Sequence, residues 1–173
     1  MTDLISRTDA FAAAAHASID QRRKYTGDPY IVHPRRVAQT VKEVGARDEV
    51  IAAALLHDVV EDTPVTLDEI RAAFGEDVAA LVEMVTDVSR PKDGYRKVRK
   101  AMDRDHLTEA SAEGQTIKLA DLIDNTASIT RYDPGFARVY MRKKAELRGI
   151  LKKGNKTLRQ HAAALMKLHG WQK

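Results

Sequence analysis

The sequence predicts an all-α protein, a single compact helical bundle over residues 1–173. Ala- and Leu-rich stretches carry apolar residues three and four apart, and the period-two alternation of β-branched residues that marks strands is scarce. Brief Pro and Gly punctuation separates these stretches, with no linker polar or long enough to divide domains. A chain of 173 residues that is 43% hydrophobic and 31% charged can bury one core and has little room for a second.

The elements follow in order. A first helix is expected from about Leu4 to Arg23, closed by the turn residues Thr26, Gly27, Asp28 and Pro29. Pro34 opens a second through Val37, Val41 and Val44, which Gly45 stops. Asp48 caps a third, whose Val50, Ile51, Ala54, Leu55 and Val59 predict deep burial as far as Asp62 and Pro64. Thr66 followed by Glu69 fits a capping box for a short helix ending at Gly75. Further helices are expected from Glu76 to about Val88, Tyr95 to about Ala110, Gln115 to about Arg131 and Pro134 to about Lys153, with a last one ending near His169. That makes about nine elements.

Composition excludes several kinds of chemistry. With no cysteine there is no disulfide framework, no thiolate nucleophile and no Cys-type zinc site, so any metal falls to His, Asp or Glu. No apolar run approaches the roughly 18–20 residues that span a bilayer. The first twenty residues lack the basic and long apolar regions of a signal peptide, so a cytoplasmic protein is expected. The net charge of +4 conceals a division. Ser89–Arg104 holds seven Lys or Arg against two Asp, Arg138–Lys173 holds eleven against one Glu, and the remainder carries −11.

The stretch AALLHDVVED holds the most chemical information. His57 and Asp58 stand in an otherwise apolar helix, and i, i+4 spacing pairs them with Glu61 and Asp62, gathering four polar groups at one helix end. Three carboxylates beside an imidazole repel one another and resist desolvation unless a cation joins them. Carboxylate oxygen with imidazole nitrogen suits Mn²⁺, Fe²⁺, Zn²⁺ or Mg²⁺, and the imidazoles disfavour Mg²⁺. A lone His-Asp pair on a helix is more often only hydrogen-bonded or solvated. His33 in PYIVHP and Asp121 in IKLADLIDN complete an order of His, His-Asp, Asp.

That order resembles the HD superfamily of metal-dependent phosphohydrolases. The words RRKYTGDPYIVHP, ALLHDVVEDTPVTLDEI, FGEDVAALVEMVTD and IKLADLIDN, in this sequence, look like the hydrolase domain of the RelA/SpoT alarmone enzymes, and most of all like small alarmone hydrolases. The resemblance runs from about His16 to Arg131 and implies one HD-type hydrolase domain, with no room for a synthetase domain. It implies that His33, His57, Asp58 and Asp121 ligate one Mn²⁺ per chain, with positions left open for water and a phosphate oxygen. The family's acidic pair falls on Glu61 and Asp62, which would orient the attacking water and take its proton; the sequence does not divide that work between them. Acidic residues at a helix C-terminus oppose its dipole, which argues against a merely structural helix end.

For substrate contacts the resemblance points to Arg23 for base stacking, Lys24 for phosphate, and Asn125 for the ribose or the water. Lys97 in the basic segment after TDVSRP would meet phosphate, and Tyr140 with Lys143 would meet the far end of the ligand. LIDNTAS departs from the more usual basic or aromatic residues around that Asn, chiefly by placing Asp124 there.

The expected activity is an Mn²⁺-dependent 3′-pyrophosphohydrolase of guanosine or adenosine polyphosphates, (p)ppGpp or (p)ppApp, releasing pyrophosphate. One alternative keeps the chemistry and changes the nucleotide, to NADPH 2′-phosphate or a nucleoside monophosphate. Another is a non-catalytic, basic helical nucleic-acid-binding protein, suggested by the +10 segment. It leaves the His-Asp cluster unexplained, and with 5% aromatic residues and no base-reading motif, nucleic acid is not the expected partner. No membrane partner is expected, and the oligomeric state is left open.

Overall fold

The structure is a computed structural model that describes residues 3–169, apart from the side chain of Lys143. Among the described residues ten α-helices succeed one another: α1 (Asp3–Ala17), α2 (Val32–Glu43), α3 (Asp48–Leu56), α4 (Val59–Asp62), α5 (Leu67–Phe74), α6 (Glu76–Val85), α7 (Arg96–Glu109), α8 (Ala112–Tyr132), α9 (Pro134–Ile150) and α10 (Lys156–Leu168). A 3₁₀ turn over Pro91–Asp93 precedes α7, and the only pairing outside helices among these residues is one isolated antiparallel bridge between Arg22 and Pro29. The all-α expectation therefore holds.

The core is built around α3, in which every residue from Val50 to Leu56 is buried. Helices α1, α2, α6 and α8 pack around it, and α9 and α10 lie against α8. Local chemistry explains several boundaries. The Thr66 hydroxyl accepts from the Glu69 N–H at 3.3 Å while Glu69 Oε2 accepts from the Thr66 N–H at 2.7 Å, closing the expected capping box of α5. Ser111 accepts from the Gly114 N–H at 3.1 Å, which starts α8 slightly before the expected Gln115. Asp133 caps α9 by accepting from Phe136, with Pro134 at its first position.

Two boundaries differ from expectation in ways that shape the site. Helix α1 stops at Ala17, not near Arg23. The Asp20 N–H reaches the Ala17 carbonyl at 3.0 Å and the Gln21 N–H reaches the His16 carbonyl at 3.1 Å, with Asp20 left-handed at φ 48°. This is the Schellman pattern, terminated by an aspartate where glycine is usual. Arg23 and Lys24 consequently sit in a loop. The expected third helix divides after Leu56 into α3 and α4, because Asp58 relaxes to φ −102°, ψ −6°. His57 Nδ1 lies 2.7 Å from the Ala54 carbonyl and donates to it, which turns the ring into the core at the break.

The C-terminal helices are fastened to α8 by polar contacts. Gln115, fully buried, accepts from the Lys153 N–H at 2.8 Å, and the Thr116 hydroxyl accepts from the Asn155 N–H at 2.9 Å. Between these bonds Gly154 lies so close to α8 that a Cβ there would stand 2.6 Å from Leu119 Cδ1.

Candidate metal centre and active site

Four elements bring the His and Asp residues together. His33 comes from the first turn of α2, where Pro34 is tolerated because the first N–H groups of a helix have no intrahelical partner. His57 and Asp58 come from the α3–α4 break, and Asp121 from the middle of α8. His57 Nε2 is 3.1 Å from Asp58 Oδ2 and 3.9 Å from Asp121 Oδ1. His33 Nε2 is 3.6 Å from Asp58 Oδ2 and 3.3 Å from Asp121 Oδ1. Donors that share one ion at about 2.0–2.2 Å lie roughly 3–4 Å apart, so His33, His57 and Asp58 form a candidate site for a divalent cation, with Asp121 facing both imidazoles beside it. His57 Nε2 is buried and faces these two carboxylates without a well-aligned hydrogen bond to either, which leaves it open to a metal.

Each of these side chains has a further hydrogen-bond partner. Tyr30 donates to Asp58 Oδ2 at 2.6 Å, His33 Nδ1 lies 2.6 Å from Asp124 Oδ2, and Asn125 Nδ2 donates to Asp121 Oδ1 at 2.5 Å. Lys118 Nζ sits 3.6 Å from Asp121 Oδ2. Electrostatics follow this crowding. Burial resists charging His33, but its hydrogen bonds to Asp121 and Asp124 and the nearby carboxylates prevail and raise it to about 9. Burial also opposes ionising Asp58 and Asp121, yet the two imidazoles hold Asp58 low, and Lys118 with the imidazoles holds Asp121 low. Burial works against the charge of Lys118 as well, and the carboxylates of Asp121, Glu61 and Asp58 outweigh it.

The expectation that Glu61 and Asp62 cluster with their helical neighbours is modified, because their side chains diverge. Glu61 Oε1 accepts from the Asp87 N–H at 2.7 Å, and desolvation is the main cause raising its pKa. Asp62 Oδ2 accepts instead from Gln21 Nε2 at 2.8 Å. Gln21 Oε1 in turn lies 2.7 Å from Nδ1 of the buried His16. Since the Gln21 amide nitrogen serves Asp62, its oxygen accepts, and His16 carries its proton on Nδ1.

A cavity of about 160 Å³ opens beside this cluster, lined by Arg23, Tyr25, Arg36, Asp124, Arg131 and Tyr132 among others. The Arg23 guanidinium lies 5.7 Å from the Tyr30 ring centre, and the Tyr25 and Tyr132 rings stack with centres 6.0 Å apart. Tyr25 also donates to Asp133 at 3.2 Å, tying the loop after α1 to the α8–α9 turn. Tyr140 is buried, and burial, followed by the Asp121 charge, pushes its phenol above the ordinary value.

The other substrate residues expected from sequence fare differently. Asn125 joins the cluster through Asp121. Lys24 is exposed, 5.0 Å from the Tyr25 ring centre, and does not line the cavity. Lys97 is exposed and makes no contact with the cluster, whereas Lys100, one turn on, reaches Asp87 at 3.2 Å. The side chain of Lys143 lies outside the described residues. Its neighbour Lys144 is half-buried, and burial lowers its pKa while Asp121, Lys118, Lys100 and Asp87 act on it. Sequence reasoning overlooked Tyr30, Lys118 and Lys144. Lys118 could have been found from its i, i+3 spacing to Asp121, and Lys144 from its i, i+4 spacing to Tyr140.

An all-α bundle that gathers His33, His57 and Asp58, with Asp121 facing both imidazoles, is the construction of a metal-dependent HD protein, and the chain belongs to the HD domain family, whose model matches residues 9–132. Membership implies a divalent metal, and the His/Asp cluster is the candidate place for it. Among curated relatives, the guanosine-3′,5′-bis(diphosphate) 3′-pyrophosphohydrolase of Aquifex aeolicus is 43% identical over 128 residues, covering 72% of this chain and 18% of that protein. The MESH1 protein of Xenopus tropicalis, named for the same activity, is 40% identical over 134 residues, covering 76% of this chain and 72% of its own length. A solved metazoan ortholog of SpoT, described as hydrolysing ppGpp, superposes with a TM-score of 0.86 at 28% identity over 98% of this chain and 97% of that one. This chain spans less than a fifth of the Aquifex relative and of a Synechocystis relative. No described helix is long and apolar enough to cross a membrane.

Proposed function

We propose that this chain is a 3′-pyrophosphohydrolase of guanosine 3′,5′-bis(diphosphate), acting with Mn²⁺ as a single HD-type domain over residues 1–173. The observation that carries the reading is the cluster of His33, His57 and Asp58, faced by Asp121 and lying beside the half-buried Lys118 and an arginine-lined cavity. A bound Mn²⁺ would supply Lewis acidity, activating water and neutralising phosphate charge.

The chain's own residues account for the remaining work. Glu61, its Oε1 accepting from the Asp87 N–H, takes a proton from the attacking water, and Asp62, turned toward Gln21, adds negative charge at the end of α4. The water oxygen bonds to the phosphorus attached to the ribose 3′-oxygen. The O–P bond to that oxygen breaks, the 3′-oxygen gains a proton, and pyrophosphate and guanosine 5′-diphosphate leave. Lys118 and Lys144 offset the charge that accumulates on the phosphoryl oxygens. Arg23 stacks on the base, while Asn125 and Tyr140 border the ribose. Lys24 and Lys97 lie at the exposed edge, and Lys143 belongs to the same helix as Lys144.

The test is pyrophosphate release from ppGpp in the presence of Mn²⁺. Release should be abolished by EDTA and in Asp58→Ala. Tight Mn²⁺ binding with no release from ppGpp would refute the reading.

A further inference from the structure

Asp124 is where the sequence departs from the hydrolases it resembles, and the reaction outlined above gives it no task. Its surroundings do. It follows Asp121 by three positions on α8, so both carboxylates face the same side of the helix. Asp124 Oδ2 is 2.6 Å from His33 Nδ1 and 3.8 Å from Arg23 Nη2, while Oδ1 is 3.8 Å from Arg36 Nη1. The side chains of His33, Asp124 and Arg23 are 1%, 13% and 14% exposed, so solvent screens this array little. Asp124 also lines the cavity that holds Arg23 and Arg36.

We infer that Asp124 is a positioning residue shared by two parts of the site, fixing the His33 ring for the metal and holding the Arg23 guanidinium at the wall of the base cavity. The His33 half follows from the chemistry of imidazole. A neutral ring has one N–H and one lone pair, and a carboxylate accepting from Nδ1–H leaves the lone pair on Nε2. That nitrogen is the one facing Asp58 and Asp121. A charged acceptor also makes the ring a stronger donor to a metal than a carbonyl would. The Arg23 half follows from charge. Arg23 arrives on a loop, and Asp124 is the carboxylate near its guanidinium. This second half rests on the proposed nucleotide reading, whereas the first does not.

Metal binding without nucleotide separates the two halves. Mn²⁺ titrated calorimetrically into metal-free Asp124→Ala should bind roughly 10–100-fold more weakly than to the unaltered protein. The visible spectrum of the Co²⁺-loaded variant should shift, because the His33 ring is no longer held. Asp124→Asn can still present a neutral oxygen to Nδ1–H, which keeps the ring oriented but not the charge behind it, and should recover part of the affinity. With ppGpp and saturating Mn²⁺, both variants should raise KM, since each removes the charge opposite Arg23, while only the alanine variant should depress kcat. Asp124→Ser, too short to reach His33, takes the place of alanine if that protein does not fold.

Unchanged Mn²⁺ affinity and an unchanged Co²⁺ spectrum in a folded Ala or Ser variant would overturn the His33 half. An unchanged KM in both the Asn and the Ala variant would overturn the Arg23 half. If the unaltered protein leaves ppGpp intact, the nucleotide reading and the Arg23 half fail together, and the Mn²⁺ and Co²⁺ measurements still decide the first.

Discussion

Tyr30 and Asp58 are joined by a 2.6 Å hydrogen bond from the phenol to Asp58 Oδ2, linking the loop after α1 to the break between α3 and α4. Burial, and then the Asp58 charge, push the Tyr30 phenol above its ordinary value, so it remains a donor throughout the working pH range. Tyr30→Phe keeps the ring against His16 and His33 and removes only the hydroxyl. The expected outcome is Mn²⁺ affinity lower by about tenfold and stability lower by about 1 kcal/mol. Calorimetric metal titration and urea unfolding of the same preparation measure both.

Metal affinity should depend on pH through His33. Its pKa in the folded, metal-free protein is about 9, above the ordinary 6.5. Stabilisation from this group is therefore complete below about 6.5 and is lost as pH rises through about 9. Mn²⁺ must displace that proton, so its affinity should climb with pH by about tenfold per unit until the ring is neutral near pH 9. Proton release measured during Mn²⁺ titration in buffers of different ionisation enthalpy checks the number displaced. Affinity that stays flat between pH 7 and 9 would contradict it.

Glu61 and Asp62 should separate kinetically. Glu61→Gln is expected to lower kcat by about 10²–10⁴-fold with Mn²⁺ affinity nearly unchanged. Asp62→Asn, whose amide still meets Gln21, should cost less. Because the pKa of Glu61 is raised above its ordinary value, a base at this position loses activity as pH falls at a point above that of an ordinary glutamate. The acidic limb of the rate profile should disappear in Glu61→Gln.

Gly154→Ala should destabilise the fold without touching the site. An added Cβ would lie 2.6 Å from Leu119 Cδ1 and 3.1 Å from the Gln115 carbonyl carbon, and Leu119 is fully buried. The loss expected is about 1–3 kcal/mol, read from denaturant midpoints, with Mn²⁺ affinity preserved in the folded fraction.

The sequence by itself determined the all-helical class and most of the elements, because apolar periodicity and caps such as Thr66 with Glu69 act within a few residues. It also singled out His33, His57, Asp58 and Asp121, since their residue types and order carry a chemistry that needs no coordinates to state. The end of α1 escaped it because Asp20 takes the left-handed role usually marked by glycine. The division at Asp58 escaped it because the apolar pattern continues across a break that the buried His57 ring makes tolerable. Tertiary structure alone decided which cations face the carboxylates, bringing in Lys118 and leaving Lys24 and Lys97 exposed. It alone joined Tyr30 to Asp58 and Asp124 to His33. A side chain's hydrogen-bond partner depends on which helices pack together, and residues 28 and 91 positions apart meet only once α2, α3 and α8 share one core.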